Sequence, residues 1–135
     1  MANVIYPKYK EALLNAYANT ELDGSNVKAI LVDLADYTYS AGHDFLDDVP
    51  VAARVATSGN LASKTTTNGV FDAADFSFTG VTGDPCEALI IYIDTGSAST
   101  SRLVAFYDTG VTGLPVTPNG GDINVTVNAS GFFAL

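Results

Sequence analysis

The stretch EALIIYID, residues 87–94, decides the fold because it is the most hydrophobic segment of the chain and has the length of one buried strand. A loop of Gly, Ser and Thr joins it to a second strand-like run, RLVAFYD, residues 102–108. Chain segments joined by so short a loop pair in antiparallel fashion, so we expect the two to form the centre of a sheet. Upstream, VKAILVDL, residues 27–34, is rich in branched apolar residues, which predicts a further strand covered on both faces.

Shorter β-type runs surround these three. They cover residues 53–57, 61–67, 70–71, 76–78 and 123–127 and are separated by Gly, Asn, Asp and Pro. Asn68 and Gly69 predict a type I′ hairpin, because that turn needs positive φ at both central positions. The Gly, Pro and Thr tract over residues 110–121 is typical of a surface loop. The pattern predicts a mainly β fold, an antiparallel β-sandwich or small barrel of about seven to nine strands.

The N-terminal part carries the helix signal of the chain. Pro7 suits a first helical turn, and good helix formers follow it, so we expect one amphipathic helix over residues 7–19. Its apolar stripe, with spacings of three and four, comprises Tyr6, Tyr9, Leu13, Ala16 and Tyr17. We therefore predict a single domain in which residues 1–26 form an arm and helix that dock on the core or on a neighbour, and residues 27–135 form the β-sandwich.

Composition and charge exclude several classes of function. With 47% hydrophobic and 16% charged residues, the chain is expected to fold rather than remain disordered. Its net charge of −9 opposes binding to nucleic acid and to anionic membranes, and no apolar run approaches the roughly 20 residues that span a bilayer. The N-terminus lacks the pattern of a secretory signal, so we expect synthesis in the cytoplasm. The single cysteine excludes an internal disulfide and multi-cysteine metal sites, and no cofactor is predicted.

Few residues suggest catalysis. His43 is the one histidine, and a hydrolytic triad would need it beside Asp44 or Asp47 and an activated serine, for which no nucleophile-elbow motif is present. A loop histidine that contacts backbone groups or a partner is the simpler interpretation. Cys86 opens the most apolar strand, where a thiol usually packs as a small hydrophobic group. We therefore predict no catalytic residues and no enzymatic activity.

Two groups of acidic residues have both a chemical and a structural interpretation. Asp44, Asp47 and Asp48 could hold a cation such as Ca²⁺ through their oxygens, but their spacing does not match an EF-hand, and clusters of this kind often form turns or caps. Asp72 and Asp75 could form an acid/base pair, although hairpin chemistry explains them better. We predict no metal site, although the question of whether the loop of Asp44, Asp47 and Asp48 binds a cation stays open.

Aromatic residues supply the candidate binding surface. Tyr37 and Tyr39 alternate in a segment rich in turn formers, and the helix stripe carries further rings. The predicted partner-binding residues are Tyr6, Tyr9, Leu13, Tyr17, Tyr37 and Tyr39.

Nearly the full length of the chain resembles a group of small structural proteins of tailed bacteriophages. The segments that carry the resemblance are VIYPKYKEALL, VKAILVD, DYTYSAGHDFLDDVP, ARVATSGNLASKT, NGVFDAADFSFTGVTGD, EALIIYIDTG, SRLVAFYDTG and LPVTPNGGDINV. The resemblance implies an accessory virion protein without enzymatic activity, made in the host cytoplasm and located in the virion.

Within the virion, the resemblance implies first a capsid decoration or cement protein. Its partner would be the major capsid protein or another virion subunit, and it would form a homo-oligomer or symmetric array on the particle. The alternative is a tail, neck or fibre component, including a receptor- or carbohydrate-binding module. For such a module Tyr37, Tyr39, Asp44 and Asp47 are the expected contacts.

Overall fold

The computed structural model describes residues 3–135, which form nine strands, one α-helix and three short 3₁₀-helices. The strands are β1 (Val4–Ile5), β2 (Val27–Val32), β3 (Arg54–Thr57), β4 (Val70–Phe71), β5 (Phe76–Phe78), β6 (Ala88–Ile93), β7 (Leu103–Tyr107), β8 (Ile123–Val125) and β9 (Phe133–Ala134). The α-helix, α1, is Pro7–Leu14, and the 3₁₀-helices are Leu46–Asp48, Val51–Ala53 and Thr67–Gly69.

Five strands form the main sheet, in the order β1-β7-β6-β2-β3, with every neighbouring pair antiparallel. The predicted central pair is confirmed: β6 pairs with β7, and Ile90 lies opposite Phe106. On its other side β6 pairs with β2, where Ile90 lies opposite Ile30. Every residue of β6 is buried, as expected for the middle strand of a sheet covered on both faces.

Two neighbouring residues of β7 show what covers each face of the main sheet. Successive side chains of a strand point to opposite faces, so Phe106 and Tyr107 lie on different sides. The Phe106 ring packs against Tyr37 and Tyr39, whereas the Tyr107 ring packs against Phe132 near the C-terminus. The main sheet is therefore the middle layer, with the tyrosine-containing loops on one face and the C-terminal part of the chain on the other.

Two small antiparallel ladders complete the β structure. β5 pairs with β8, and β4 pairs with β9. Their aromatic residues form one connected group, in which Phe71 stacks on Phe132 with ring centroids 5.3 Å apart. Phe76 contacts both Phe78 and Phe132. Ring packing of this kind contributes stability beyond the area buried, which matters for ladders of only two or three residue pairs.

The helix docks on its own chain but is shorter than predicted. Tyr9 and Ala12 of α1 are buried, and Tyr6 just before it is fully buried. The helix ends at Leu14 rather than at residue 19, because Ala16 takes a left-handed conformation with φ of 53°. The N–H of Tyr17 then bonds to the carbonyl of Ala12 and that of Ala16 to Leu13, which is the Schellman pattern that terminates helices. Residues 1 and 2 of the predicted arm lie outside the described part of the chain.

The prediction of a strand over residues 61–67 is wrong. This segment runs as a loop in which Ser63 has a positive φ of 53°, a conformation that strands do not contain. The turn at Asn68 and Gly69 has the expected positive φ at both positions, 56° and 78°, but a single bridge between Thr65 and Asp72 replaces the predicted hairpin ladder. The following strand, β4, pairs instead with β9 near the C-terminus.

The fold class is confirmed: the chain is mainly β, with antiparallel sheets of five, two and two strands and one α-helix among the described residues, in a small sandwich-like arrangement. Within residues 3–135 no helix combines the length and the apolar character needed to cross a membrane.

Candidate functional site

The six predicted partner-binding residues divide by exposure. Tyr6, Tyr9 and Tyr37 are buried within the chain, so these three build its core rather than its surface. Leu13 and Tyr39 are partly buried, and Tyr17 is 52% exposed. The structure thus brings Tyr6, Tyr37 and Tyr39 together in one cluster and leaves Tyr17 at the end of the helix as an accessible ring.

The tyrosine cluster consists of Tyr6, Tyr37, Tyr39, Phe106 and His43. Tyr6 precedes α1, and its ring lies 5.4 Å from that of Tyr39, measured between centroids. The hydroxyls of Tyr6 and Tyr37 are 2.8 Å apart, and the Tyr37 hydroxyl is 2.8 Å from Nδ1 of His43. The chain's one imidazole therefore contacts a phenol of its own chain, rather than the backbone groups or the partner expected from the sequence.

Hydrogen-bond direction follows from the chemistry of these groups. When Nδ1 of His43 is unprotonated it accepts from Tyr37, which leaves the Tyr37 oxygen free to accept from Tyr6. Burial raises the pKa of the Tyr6 phenol far above its ordinary value and that of Tyr37 to about 12. Both phenols consequently stay protonated, so each keeps a hydrogen that it can donate. The chain of bonds satisfies a fully buried hydroxyl and fixes the N-terminal segment to the loop of residues 37–43.

In the loop that contains Asp44, Asp47 and Asp48, the carboxylate of Asp48 bonds to the loop's own backbone. One carboxylate oxygen of Asp48 accepts from the backbone N–H groups of Asp44 and Phe45, at 2.8 and 3.5 Å. Burial alone would raise the pKa of Asp48, but these two bonds, together with the side-chain hydrogen bond to Asp44 and the interaction with His43, hold the pKa below its usual value. Burial raises the pKa of Asp44, together with the hydrogen bond and negative charge of Asp48. The loop is thus organised by capping, the structural alternative for these residues.

A different acidic trio lies closer together. Carboxylate oxygens of Asp33, Asp36 and Asp84 are within 4.8 Å of one another; Asp33 and Asp36 belong to one short segment, and Asp84 comes from a distant part of the chain. Asp33 already accepts from the N–H of Ala35 at 2.9 Å, and its own backbone carbonyl accepts from the N–H of Asp36. These bonds describe a turn after β2, the common role of aspartate in such a position.

Cys86 behaves as the sequence predicts. It is fully buried just before β6, and its thiol lies 3.5 Å from the carbonyl oxygen of Asp84. Burial raises the pKa of the Cys86 thiol to about 11, with nearby carboxylates acting in the same direction. The group therefore remains a neutral thiol, whereas a nucleophilic cysteine needs the thiolate.

The end of α1 is the most exposed apolar feature of the arm. Leu14 is 88% exposed and Tyr17 is 52% exposed. The chain after them is held in place by buried Arg102, whose guanidinium donates to the carbonyls of Ala18 and Asn19 at 2.9 and 3.2 Å. The Tyr9 hydroxyl also donates to the carbonyl of Thr20 at 2.8 Å. We call Leu14 and Tyr17 the helix-end patch; it projects from a fixed backbone.

A cavity of about 550 Å³ lies on the face of the main sheet opposite the tyrosine cluster, between the end of β7 and the C-terminal segment. Tyr107, Thr126 and Phe132 are among the residues that line it, whereas His43 and Cys86 are not. His43 and Cys86, two of the groups that the sequence analysis considered for catalysis, therefore lie outside this cavity.

Comparisons with protein-family models and with curated proteins found no match. The resemblance to tailed-phage virion proteins accordingly stays a prediction. The candidate sites rest on the geometry described above.

Sequence reasoning missed Leu14 and the cavity. Leu14 lies off the apolar stripe of the helix, so periodicity assigns it no partner, and its position at the true helix end could be recognised only once that end was known. The cavity combines residues near 107 with residues 125–134. Only the uncharged run from Ile123 to Leu135, with its mixture of hydroxyl, amide and aromatic side chains, could have indicated it.

Proposed function

We propose that this protein is a non-enzymatic structural protein of a bacteriophage virion, specifically a capsid decoration or cement protein that binds the major capsid protein. The resemblance over nearly the full chain supports the setting. The helix-end patch supports the mode of action. The surroundings of His43 and Cys86 agree with a role that depends on binding rather than on catalysis.

The helix-end patch is the observation that carries the proposal. Exposed large apolar side chains lose solvent contact favourably when a partner covers them. Binding is weakened when flexible segments must be ordered, but here the Schellman turn and the bonds from Arg102 have already fixed the backbone. A prearranged apolar patch of this kind is suited to persistent attachment.

Charge indicates what kind of surface the partner presents. Helix α1 carries Lys8 and Lys10 against Glu11, so it is locally positive in a chain whose net charge is −9. Lys8 pairs with Glu11 at 3.1 Å, which leaves the exposed Lys10 available to a partner. We therefore infer that the binding surface on the major capsid protein has an apolar centre with acidic groups at its edge.

A decoration protein stabilises a capsid because many copies bind to it. Each copy that binds the assembled shell, and not the free subunit, stabilises the shell by mass action, and many copies bridging adjacent subunits add their contributions. A modest apolar patch on each copy is sufficient under these conditions. The proposal thus includes a symmetric array of this protein on the particle.

The test begins with purified virions. We expect the protein to be present at high copy number in a symmetric array when particles are imaged by cryo-electron microscopy. Particles assembled without it should lose DNA at a lower temperature and resist osmotic shock less well. Absence from purified particles would contradict the proposal, and a few copies at the tail tip would support the alternative of a tail, neck or fibre component.

Variants then test the surface. Leu14→Ser and Tyr17→Ser should reduce binding to particles that lack the protein by about tenfold each, because interface anchors of this size contribute about 1–2 kcal/mol. Val51→Ser is the matched control, since Val51 is 76% exposed in a different part of the chain. Equal binding by the Leu14, Tyr17 and Val51 variants would show that the patch is not the contact.

A further inference from the structure

The cavity of about 550 Å³ beside β7 has a distinctive chemical character. None of the residues that line it is Lys, Arg, His, Asp or Glu. In a chain with a net charge of −9, an anionic ligand would be repelled, and the lining offers a cationic ligand no carboxylate. The lining therefore favours an uncharged ligand.

Hydrogen-bonding groups are available on one wall. Thr126, Asn128 and Ser130 line the cavity and are exposed. Within residues 3–135 the hydroxyls of Thr126 and Ser130 make no hydrogen bond, and Asn128 uses only its oxygen, which accepts from the N–H of Ser130 at 2.8 Å. Two hydroxyls and an amide nitrogen can thus bond to a ligand rich in hydroxyl groups.

Aromatic rings supply the other contact. The rings of Tyr107 and Phe132 lie 6.4 Å apart at the cavity. Phe132 stacks on Phe71, and the Tyr107 hydroxyl donates to the carbonyl of Phe132 at 2.7 Å, so the wall is fixed before any ligand arrives. Gly131 has a φ of 88° and passes so close to Phe71 that a Cβ would lie 2.7 Å from its carbonyl oxygen.

We propose that this cavity binds a neutral saccharide. A sugar ring has an apolar face of C–H groups that packs on aromatic rings and an edge of hydroxyls that bonds to Thr, Ser and Asn. The volume lies within the range of small-molecule pockets, about 300–1,000 Å³, and accommodates a short oligosaccharide. This activity is independent of the proposed attachment to the capsid, because the helix-end patch and the cavity share no residue.

The test uses the full chain and a panel of short neutral oligosaccharides built from glucose, galactose, mannose and N-acetylglucosamine. Sialylated and sulfated sugars and a short apolar peptide complete the panel. Binding is followed by NMR, with amide shifts assigned along the chain. We expect at least one neutral sugar to bind, with shift changes concentrated at residues 107–111 and 125–134.

Two variants remove single hydroxyls without changing side-chain shape substantially. Thr126→Val and Ser130→Ala should each weaken binding about threefold to tenfold, the effect of one hydrogen bond. Thr82→Val is the matched control, because Thr82 is exposed and does not line the cavity. A Thr82 variant that binds as weakly as the Thr126 variant would overturn the proposal.

Other outcomes also decide the question. Failure of every neutral sugar to bind, binding of charged sugars or of the peptide only, or shift changes confined to other surfaces would each overturn the proposal. Particle attachment is measured separately, so loss of sugar binding with normal attachment would leave the capsid proposal intact.

Discussion

The main sheet and the C-terminal ladders are built by different means. Strands β2, β6 and β7 are five or six residues long and almost entirely buried, and each is paired along most of its length. The ladders β4–β9 and β5–β8 have two and three residue pairs, exposed alternate positions and long loops between them. The first region is held by continuous apolar burial, and the second by a few aromatic contacts and one close backbone approach.

Because of this difference, the main sheet supplies stability and the C-terminal region supplies groups that can bind a ligand. A dry sheet whose two faces are covered has no free polar groups to offer a ligand. The C-terminal region has hydroxyls, an amide and rings around a cavity, supported by the sheet beneath it. Binding groups are often placed on loops that a rigid scaffold positions, and local opening is easiest where few apolar contacts must break. We therefore expect the ladders to open before the main sheet.

The largest effect should come from the centre of the main sheet. Ile90→Ala removes a fully buried side chain between Ile30 and Phe106, and we expect it to lower the free energy of unfolding by about 2–5 kcal/mol. Urea unfolding followed by circular dichroism measures this loss. The control Val51→Ala, at an exposed apolar site, should change stability by less than about 0.5 kcal/mol. Similar losses for both variants would contradict the assignment of the core.

The next effect concerns the wall of the cavity. Gly131→Ala combines a positive φ with a Cβ 2.7 Å from the Phe71 carbonyl, whereas Gly120→Ala has a matching φ of 90° and open space. We expect a cost of about 1–2 kcal/mol at Gly120 and about 2–4 kcal/mol at Gly131. Hydrogen exchange should accelerate at residues 132–134 in the Gly131 variant while β6 stays protected. Equal costs at the two glycines would show that the C-terminal segment moves away freely.

Prediction from the sequence was more complete for the main sheet than for the C-terminal ladders. The runs that became β2, β6 and β7 were predicted because strands buried on both faces need continuous apolar residues, and these are visible in sequence. The pairing of β4 with β9 was not predicted, because it joins residues more than sixty positions apart through only two residue pairs. A ladder of two residue pairs between such distant segments leaves no local sequence pattern from which it could be predicted.

The candidate sites show a second limit. Tyrosine is both apolar and polar, so the sequence could not tell that Tyr37 would be buried with its hydroxyl between Tyr6 and His43 while Tyr17 remained accessible. The helix was predicted too long because Ala16, a good helix former, takes the left-handed conformation that usually selects glycine. Tertiary bonds from Arg102 to residues 18 and 19, more than eighty positions away, support that turn.

A smaller effect is expected in the tyrosine cluster on the other face of the main sheet. Tyr37→Phe removes the partner of both the Tyr6 hydroxyl and His43 Nδ1, and leaves the fully buried Tyr6 hydroxyl without its bond. The expected loss is about 1–3 kcal/mol, the cost of an unsatisfied buried donor. Tyr17→Phe is the control, because its ring is exposed, and should be close to neutral. A neutral Tyr37 variant would mean that the cluster is held by ring packing alone.

The smallest effect should come from an ion pair at the end of two interior strands of the main sheet, between Lys28 of β2 and Asp94 just after β6, whose charged atoms are 2.7 Å apart. The hydrogen bond from Lys28, with help from the N–H of Gly96 and against burial, holds the pKa of Asp94 below its usual value. A lowered carboxyl pKa stabilises the fold above the unfolded-state value of about 3.9, and that contribution disappears as the pH falls through the folded-state pKa.

Lys28→Gln should therefore cost about 0.2–1 kcal/mol at neutral pH, and the difference from the unmodified chain should close as the pH falls through the folded-state pKa of Asp94. Thermal unfolding at several pH values measures it, with Lys10→Gln as a control at an exposed lysine. If the difference persisted in acid, the loss would come from packing of the lysine stem. A small stability difference that disappears in acid would instead show that the ion pair contributes little. Apolar burial would then remain the main source of stability in the five-stranded sheet, in contrast to the ladders beside it.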